Sequence, residues 1–312
     1  MSPPQILVVG SYAAGLVMQT QRLPGPGETL IGHSFRSTHG GKGSNQAVQA
    51  ARLGANVAFF ARVGADSYGD ACAKLHAGEG VDTNHLQRDA ALATGVGFIV
   101  VDAAGRNLIT LDMGANGALT PGVLQANPEA FASARIVLAQ LEIPLETALA
   151  AMSFGRAAGA TTLLNPAPAA DLSAADLSCI DFLLPNETEL RVCAGLPLEA
   201  PVDDAVARLL ALGCRNVLVT LGEAGCTLRG ADGSRIDSPA FPVCAVDTVG
   251  AGDAFCAGFA TALAESQPLA AALRFANATA SLSVTKPDTI PSYHARHEIE
   301  SLLGIPRSEP IN

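Results

Sequence analysis

The amino-acid sequence predicts an α/β fold: a central, mostly parallel sheet flanked by helices, with a small β lid standing over the strand ends. Three observations carry this. Short continuous apolar runs such as Ile6-Leu7-Val8-Val9 end in glycine, as strands buried on both faces do. From Thr120 onward, strand-like and helix-like stretches alternate, the pattern of parallel βα units. Two less continuous strand-like regions, at about 12–38 and 94–113, stand apart from that alternation and suit a partly covered sheet.

Taken in order, residues 6–10 open the main sheet. Residues 11–38 leave it: Pro24, Pro26 and several glycines precede a partly alternating strand at 29–36. The string His39-Gly40-Gly41-Lys42-Gly43-Ser44-Asn45-Gln46 leads into a helix with Ala47, Val48, Ala51 and Leu53 on or near one face, closed by Gly54. A strand at 56–63 and a helix at 66–80 follow, then two strands, 94–102 and 107–112, joined at Ala104-Gly105. The alternating part reads helix 121–133, strand 136–141, helix 145–158, strands 161–164 and 182–184, helices 187–194 and 203–212, and strand 217–221. Apolar helical stretches at 255–265, 268–285 and 293–303 complete the chain. No repeat, low-complexity tract or linker divides residues 1–312, so one domain is expected.

Charged residues make up 15% of the chain and the hydrophobic class 49%, with a formal charge of -10. That balance fits a globular protein and argues against nonspecific nucleic-acid binding. A bound phosphate must therefore be held by backbone N–H groups, a metal and a few placed cations. The seven cysteines are widely spaced without a C-x-x-C pair, and residues 6–10 are too short an apolar run for a signal or membrane span. A cytosolic, reduced chain is the expectation.

The chemistry concentrates at Asp247-Thr248-Val249-Gly250-Ala251-Gly252-Asp253. This string opens an Ala-rich helix, whose first N–H groups lack intrahelical partners and whose dipole favours an anion. Gly250, Ala251 and Gly252 would let a phosphate approach the backbone, with Asp253 beside it as a proton acceptor. By itself the string also fits a tight turn with an acid complementing the dipole. The Gly-Lys-Gly-Ser string is not a P-loop, because Arg36 and Gly43 occupy the places of its first Gly and its Ser/Thr. Polar groups fall at the ends of four expected strands: Glu142, Asn165, Asn186, and Thr220 with Gly222. Ligands gather at such ends in parallel sheets. His294 and His297, three apart, are a formal metal pair without further ligands nearby in sequence.

Five motifs occur in the order found in the ribokinase-like (PfkB) carbohydrate kinases, and the resemblance spans nearly the whole chain. They are Gly40-Gly41-Lys42-Gly43-Ser44-Asn45-Gln46-Ala47, Asn165-Pro166-Ala167, Pro185-Asn186-Glu187-Thr188-Glu189, Thr220-Leu221-Gly222 and the 247–253 string. The resemblance implies a three-layer ribokinase-like fold whose β lid forms a homodimer contact, and ATP-dependent phosphorylation of a pentose or related small sugar. It implies Asp253 as general base and Gly250, Ala251 and Gly252 as the anion hole. Asn186 and Glu189 would organise Mg²⁺ through water, Thr220, Gly222 and Asn277 would line the nucleotide site, and Gly41, Lys42, Asn45 and Glu142 would face the sugar. Asp247, Val249, Ser283, Lys286 and Ser292 resemble the monovalent-cation site, with K⁺ as the candidate ion.

Two departures stand out. The family's polar pair after the first strand is replaced within Ser11-Tyr12-Ala13-Ala14-Gly15 by Ala13 and Gly15, and Pro287-Asp288 stands where a glycine is usual near the cation loop. A deoxysugar, another pentose or ketose, or a nucleoside stacking on Tyr12 are therefore the alternatives to ribose. A noncatalytic sugar sensor is a further alternative, against which Asp253, Asn186 and Glu189 argue.

Overall fold

The computed structural model describes residues 5–305. Its centre is a nine-stranded sheet. From one edge to the other the strands are β13 (Arg235–Ser238), β12 (Cys226–Gly230), β11 (Asn216–Thr220), β10 (Phe182–Leu183), β9 (Thr161–Asn165), β8 (Ile136–Gln140), β1 (Ile6–Val9), β4 (Val57–Gly64) and β5 (Leu86–Asp89). All pairings are parallel except those joining β11, β12 and β13. Alternation along the central strands fills two cores. Ile6 and Val8 point into one and Leu7 and Val9 into the other, as Ile136 and Leu138 divide from Val137 and Ala139.

Helices α1 (Lys42–Arg52), α2 (Ser67–Gly78), α7 (Ala251–Ala264), α8 (Leu269–Ser283) and α9 (Arg296–Leu303) contribute to the first core. Helices α4 (Leu145–Ala157), α5 (Glu187–Cys193) and α6 (Val202–Ala211), with the short α3 (Pro121–Gln125), contribute to the second. The result is three layers. Helix α7 is apolar nearly all round because it lies between the sheet and α8; Phe259 meets Phe182 edge-on, with ring centroids 5.2 Å apart.

The second sheet has four strands, in the order β3 (His33–Gly40), β2 (Ala13–Thr20), β6 (Gly95–Asp102), β7 (Asn107–Asp112). Both regions set apart in the sequence supply it. Within them β3 begins four residues later than expected and runs through Gly40, because pairing with β2 sets its register. Two expectations need correction. The helix at 121–133 ends at Gln125 and is followed by a 3₁₀ turn from Pro128 to Ala130, since Pro128 cannot continue the ladder. The hairpin of β12 and β13, turning at Asp232-Gly233, and the short polar β5 are additional strands.

The chain leaves β1 for β4 on one side of the sheet and later adds β8 on the other. The segments that follow β9, β10 and β11 leave a crevice at the carboxyl ends of those strands, bordered by Asn165, Asn186 and Thr220, the usual ligand position in such sheets.

Candidate active site

Helix α7 begins beside that crevice. Gly250 caps it at φ 80°, a left-handed conformation, and a Cβ there would meet Thr289 Cγ2 at 2.6 Å. The first intrahelical bond runs from Ala254 N to Gly250 O. The Ala251 N–H reaches Thr248 O at 3.3 Å, while those of Gly252 and Asp253 meet no acceptor among the described residues. A Cβ on Gly252 would meet nothing within 4 Å. Open space therefore lies directly over partnerless amides at the positive end of a 14-residue helix.

Asp253 is only 5% exposed, and two side-chain amides hold its carboxylate. Asn45 Nδ2 donates to Oδ2 at 2.9 Å and Gln46 Nε2 donates to Oδ1 at 2.9 Å. Both donors come from the first turns of α1, which approaches because Gly41 and Gly43 pack on the backbone of residues 10–13. A Cβ on Gly41 would lie 2.7 Å from Tyr12 Cα, and one on Gly43 2.5 Å from Ser11 N. Chain crossing, rather than ligand approach alone, explains these two glycines.

A cleft of about 170 Å³ opens beside Asp253, lined also by Lys42, Asn165, Asn186, Glu189, Gly252 and Cys256. The charge of Asp253, then that of Glu142, holds Lys42 above the usual lysine pKa against the opposing effect of burial. Burial pushes Glu189 up from the carboxylate range. It pushes the Cys256 thiol well up too, so this cysteine is a neutral wall. Asn186 and Glu189 form a reciprocal cap at the start of α5: Asn186 Oδ1 accepts from Glu189 N at 2.8 Å, and Glu189 Oε2 from Asn186 N at 2.9 Å. Across the crevice, Glu142 Oε2 accepts from Ser11 Oγ at 2.6 Å and from Lys42 N at 2.7 Å, tying the segments after β1 and β8 to the start of α1.

A larger cleft of about 590 Å³ adjoins the first, sharing Thr220 and Gly252 with it. Gly222, Phe241, Val243, Ala251 and Asn277 are among its lining residues. Asn277 Nδ2 donates to the carbonyl and hydroxyl of Ser238 at 2.9 and 3.0 Å, bracing α8 against the end of β13. The arrangement can therefore hold an elongated ligand in the larger cleft, an anion on the α7 amides and a hydroxyl beside Asp253.

Of the residues singled out from sequence, Asp253, Gly250, Gly252, Lys42, Asn186, Glu189 and Thr220 line the smaller cleft, and Ala251, Gly222 and Asn277 the larger. Asn45 and Glu142 reach the same region through their hydrogen bonds, and Gly41 caps α1. The candidate cation residues line neither cleft. Asp247 Oδ1 accepts from Val249 N and Oδ2 from Asp288 N, both at 3.0 Å. Ser283 and Ser292 donate to the carbonyls of Ala280 and Thr289, and Lys286 is exposed. Asp288 has φ 71°, the conformation that a glycine would favour there.

Tyr12 corrects an expectation. It is 1% exposed, its hydroxyl pairs with His39 Nδ1 at 2.8 Å, and its ring lies edge-on to His76. Packed in the core beneath the four-stranded sheet, it offers no face for a base to stack on. His294 is bound to Glu298, and no group of three or more potential metal-binding His, Cys, Asp or Glu residues occurs among the described residues. Sequence reasoning gives Gln46 and Gln140 no role of their own. The signals were a polar residue closing the apolar run of β8 and a second amide following Asn45.

The pfkB family carbohydrate kinase model matches residues 3–296. A ribokinase of Haemophilus influenzae is 39% identical, covering 96% of this chain and 98% of that protein. A deoxyribokinase of Salmonella typhi is 36% identical, covering 96% and 99%. The solved structure of Arabidopsis thaliana ribokinase complexed with ribose and ATP superimposes with a TM-score of 0.90 at 34% identity, covering 97% of this chain and 99% of that one.

Proposed function

The chain belongs to the pfkB family of carbohydrate kinases, and from that premise we propose that it transfers the γ-phosphate of ATP to a hydroxyl of a pentose, with Asp253 as general base. The observation that carries this reading is the meeting of partnerless α7 amides with the buried, doubly held Asp253 carboxylate where the two clefts join. The sugar occupies the region of Gly41, Lys42, Asn45 and Glu142. ATP lies in the larger cleft past Thr220, Gly222 and Asn277, its terminal phosphate on the amides of Gly250, Ala251 and Gly252. Asp253 takes the hydroxyl proton as the sugar oxygen bonds to phosphorus, and the bond to the bridging oxygen of ADP breaks. Lys42, kept cationic by Asp253 and Glu142, neutralises charge on the transferring group.

The residues present fit a divalent ion. Glu189 is a carboxylate made costly by burial, with Oε1 outside the cap that engages Oε2, and Asn186 lies beside it. Mg²⁺ needs few protein oxygens when phosphates and water complete its shell. Bound there through water, it would supply charge neutralisation for the phosphates. Asp247, with the backbone near Val249, Ser283 and Lys286 and with Ser292, offers one negative charge and neutral oxygens, a donor set suited to K⁺. The exposed Phe98 and Leu108 share a face of the four-stranded sheet with Leu16 and Met18, which supports a homodimer formed through this lid. We assign the protein to the cytosol on its free, mostly buried cysteines.

A specific feature bears on the sugar. A Cβ on Gly15 would collide with Thr38 Oγ1, so the threonine fills the place of a longer side chain. With Ala13 on the same face of β2, this stretch carries the Thr38 hydroxyl in place of two longer polar side chains, and we read the loss of one polar partner as favouring a deoxypentose over ribose. The test is ADP release over ribose, 2-deoxyribose, other pentoses, ketoses, hexoses and nucleosides, with Mg²⁺ and with or without K⁺. A pentose should give the highest kcat/KM. A nucleoside as best acceptor, or no turnover with any acceptor, would overturn the reading.

A further inference from the structure

We infer that Gln46 and Asn165 form an amide relay that fixes which oxygen of Asp253 takes the proton. This inference rests on Asp253 acting as the base. The relay starts at a backbone carbonyl, whose polarity is not adjustable. Leu184 O accepts from Asn165 Nδ2 at 2.9 Å, which turns Asn165 Oδ1 toward Gln46. Only a donor can meet that oxygen, and Gln46 Nε2 does so at 3.1 Å. The amide of Gln46 is thereby oriented: its Oε1 faces Gln140 Nε2 at 2.6 Å, and the second hydrogen of Nε2 goes to Asp253 Oδ1 at 2.9 Å. Gln46 and Gln140 are fully buried and Asn165 nearly so, which makes any reversal of the relay costly.

Oδ1 is thus an acceptor from a group that can only donate in this setting. The proton leaving the sugar hydroxyl goes to Oδ2, as the new O–P bond forms and the P–O bond to ADP breaks. Oδ2 carries the Asn45 Nδ2 bond, while Asn45 Oδ1 is buried without a partner. Gln46 lines neither cleft and reaches them only through Asp253 and Asn165, so it is a positioning residue.

The test compares Gln46→Leu, Gln46→Glu and Asp253→Asn by melting, ATP binding and the pH dependence of kcat and kcat/KM. The charged or titratable groups that sense Asp253 remain in both Gln46 variants: Lys42 of α1, Glu189 of α5, Cys256 of α7, and Tyr293. Gln46→Leu should lower kcat on the order of 10- to 100-fold through loss of alignment, with KM for ATP within about threefold. Gln46→Glu places a second carboxyl against Oδ1, and the acidic limb of kcat/KM should move up by about one pH unit or more. If Gln46→Leu does not fold, the limb of the near-isosteric Gln46→Glu decides. Folded Gln46 variants with the wild-type kcat and limb, alongside an inactive Asp253→Asn, would overturn the relay alone. An active Asp253→Asn would overturn the base itself.

Discussion

The two sheets use their apolar residues in opposite ways. In the nine-stranded sheet, β1 and β8 are buried on both faces and feed two cores, so the carboxyl ends of these strands form a firm rim. In the four-stranded sheet every residue of β7 is exposed, and Phe35, Phe98, Ile109 and Leu111 are each more than half exposed. The first sheet fixes Asp253 through amides anchored to its strand ends. The second carries apolar surface that its own chain leaves uncovered. Catalysis should therefore respond to single atoms on the rim, and assembly to the character of a face on the lid.

The largest effect expected on the rim side of this contrast comes from Asp253→Asn. Loss of the proposed base should lower kcat by about 10²–10⁴-fold while ATP binding is retained, as seen by comparing turnover with calorimetric ATP affinity. Next comes the junction of the sheets. His76 is fully buried, stacked on Phe59 of β4 with centroids 4.5 Å apart, and lies beside Tyr12, whose hydroxyl meets His39 of β3. Burial lowers its pKa from 6.5 to about 4. The native state keeps the ring neutral where the unfolded chain takes up a proton. Stability should therefore fall as pH drops from 6.5 toward 4, by on the order of 3 kcal/mol, and this contribution should level off below. Urea unfolding across that range measures the slope, which His76→Gln should flatten.

The smallest effect on folding belongs to the lid face. Phe98→Lys with Leu108→Lys should change stability by only about 0.5 kcal/mol, yet leave the proposed lid-mediated dimer as monomers in sedimentation equilibrium. An unchanged assembly would break the contrast drawn between the sheets.

Much of the rim was legible because its parts are local in sequence. The glycine-opened helix at Gly250, the Asn186 and Glu189 pair, and Lys42 with Asn45 each lie within a few residues of a strand or helix end. The hairpin of β12 and β13 was not, since its short strands, Cys-Thr-Leu-Arg-Gly and Arg-Ile-Asp-Ser, mix polar and apolar residues without a continuous apolar run. Tyr12 misled because an aromatic residue beside small ones reads as a ligand platform, and only tertiary packing reveals that both ring faces are covered. The role of Gln46 depends on contacts 119 and 207 residues away, to Asn165 and Asp253, which no local pattern contains.

The most direct measurement is a crystal structure with ADP, aluminium fluoride, Mg²⁺ and the sugar that turns over fastest. The account predicts the fluoroaluminate against the amides of the α7 start, with one sugar oxygen within hydrogen-bond distance of Asp253 Oδ2 and Oδ1 still held by Gln46. A fluoroaluminate seated away from that helix end, or a sugar with no hydroxyl near Asp253, would contradict it.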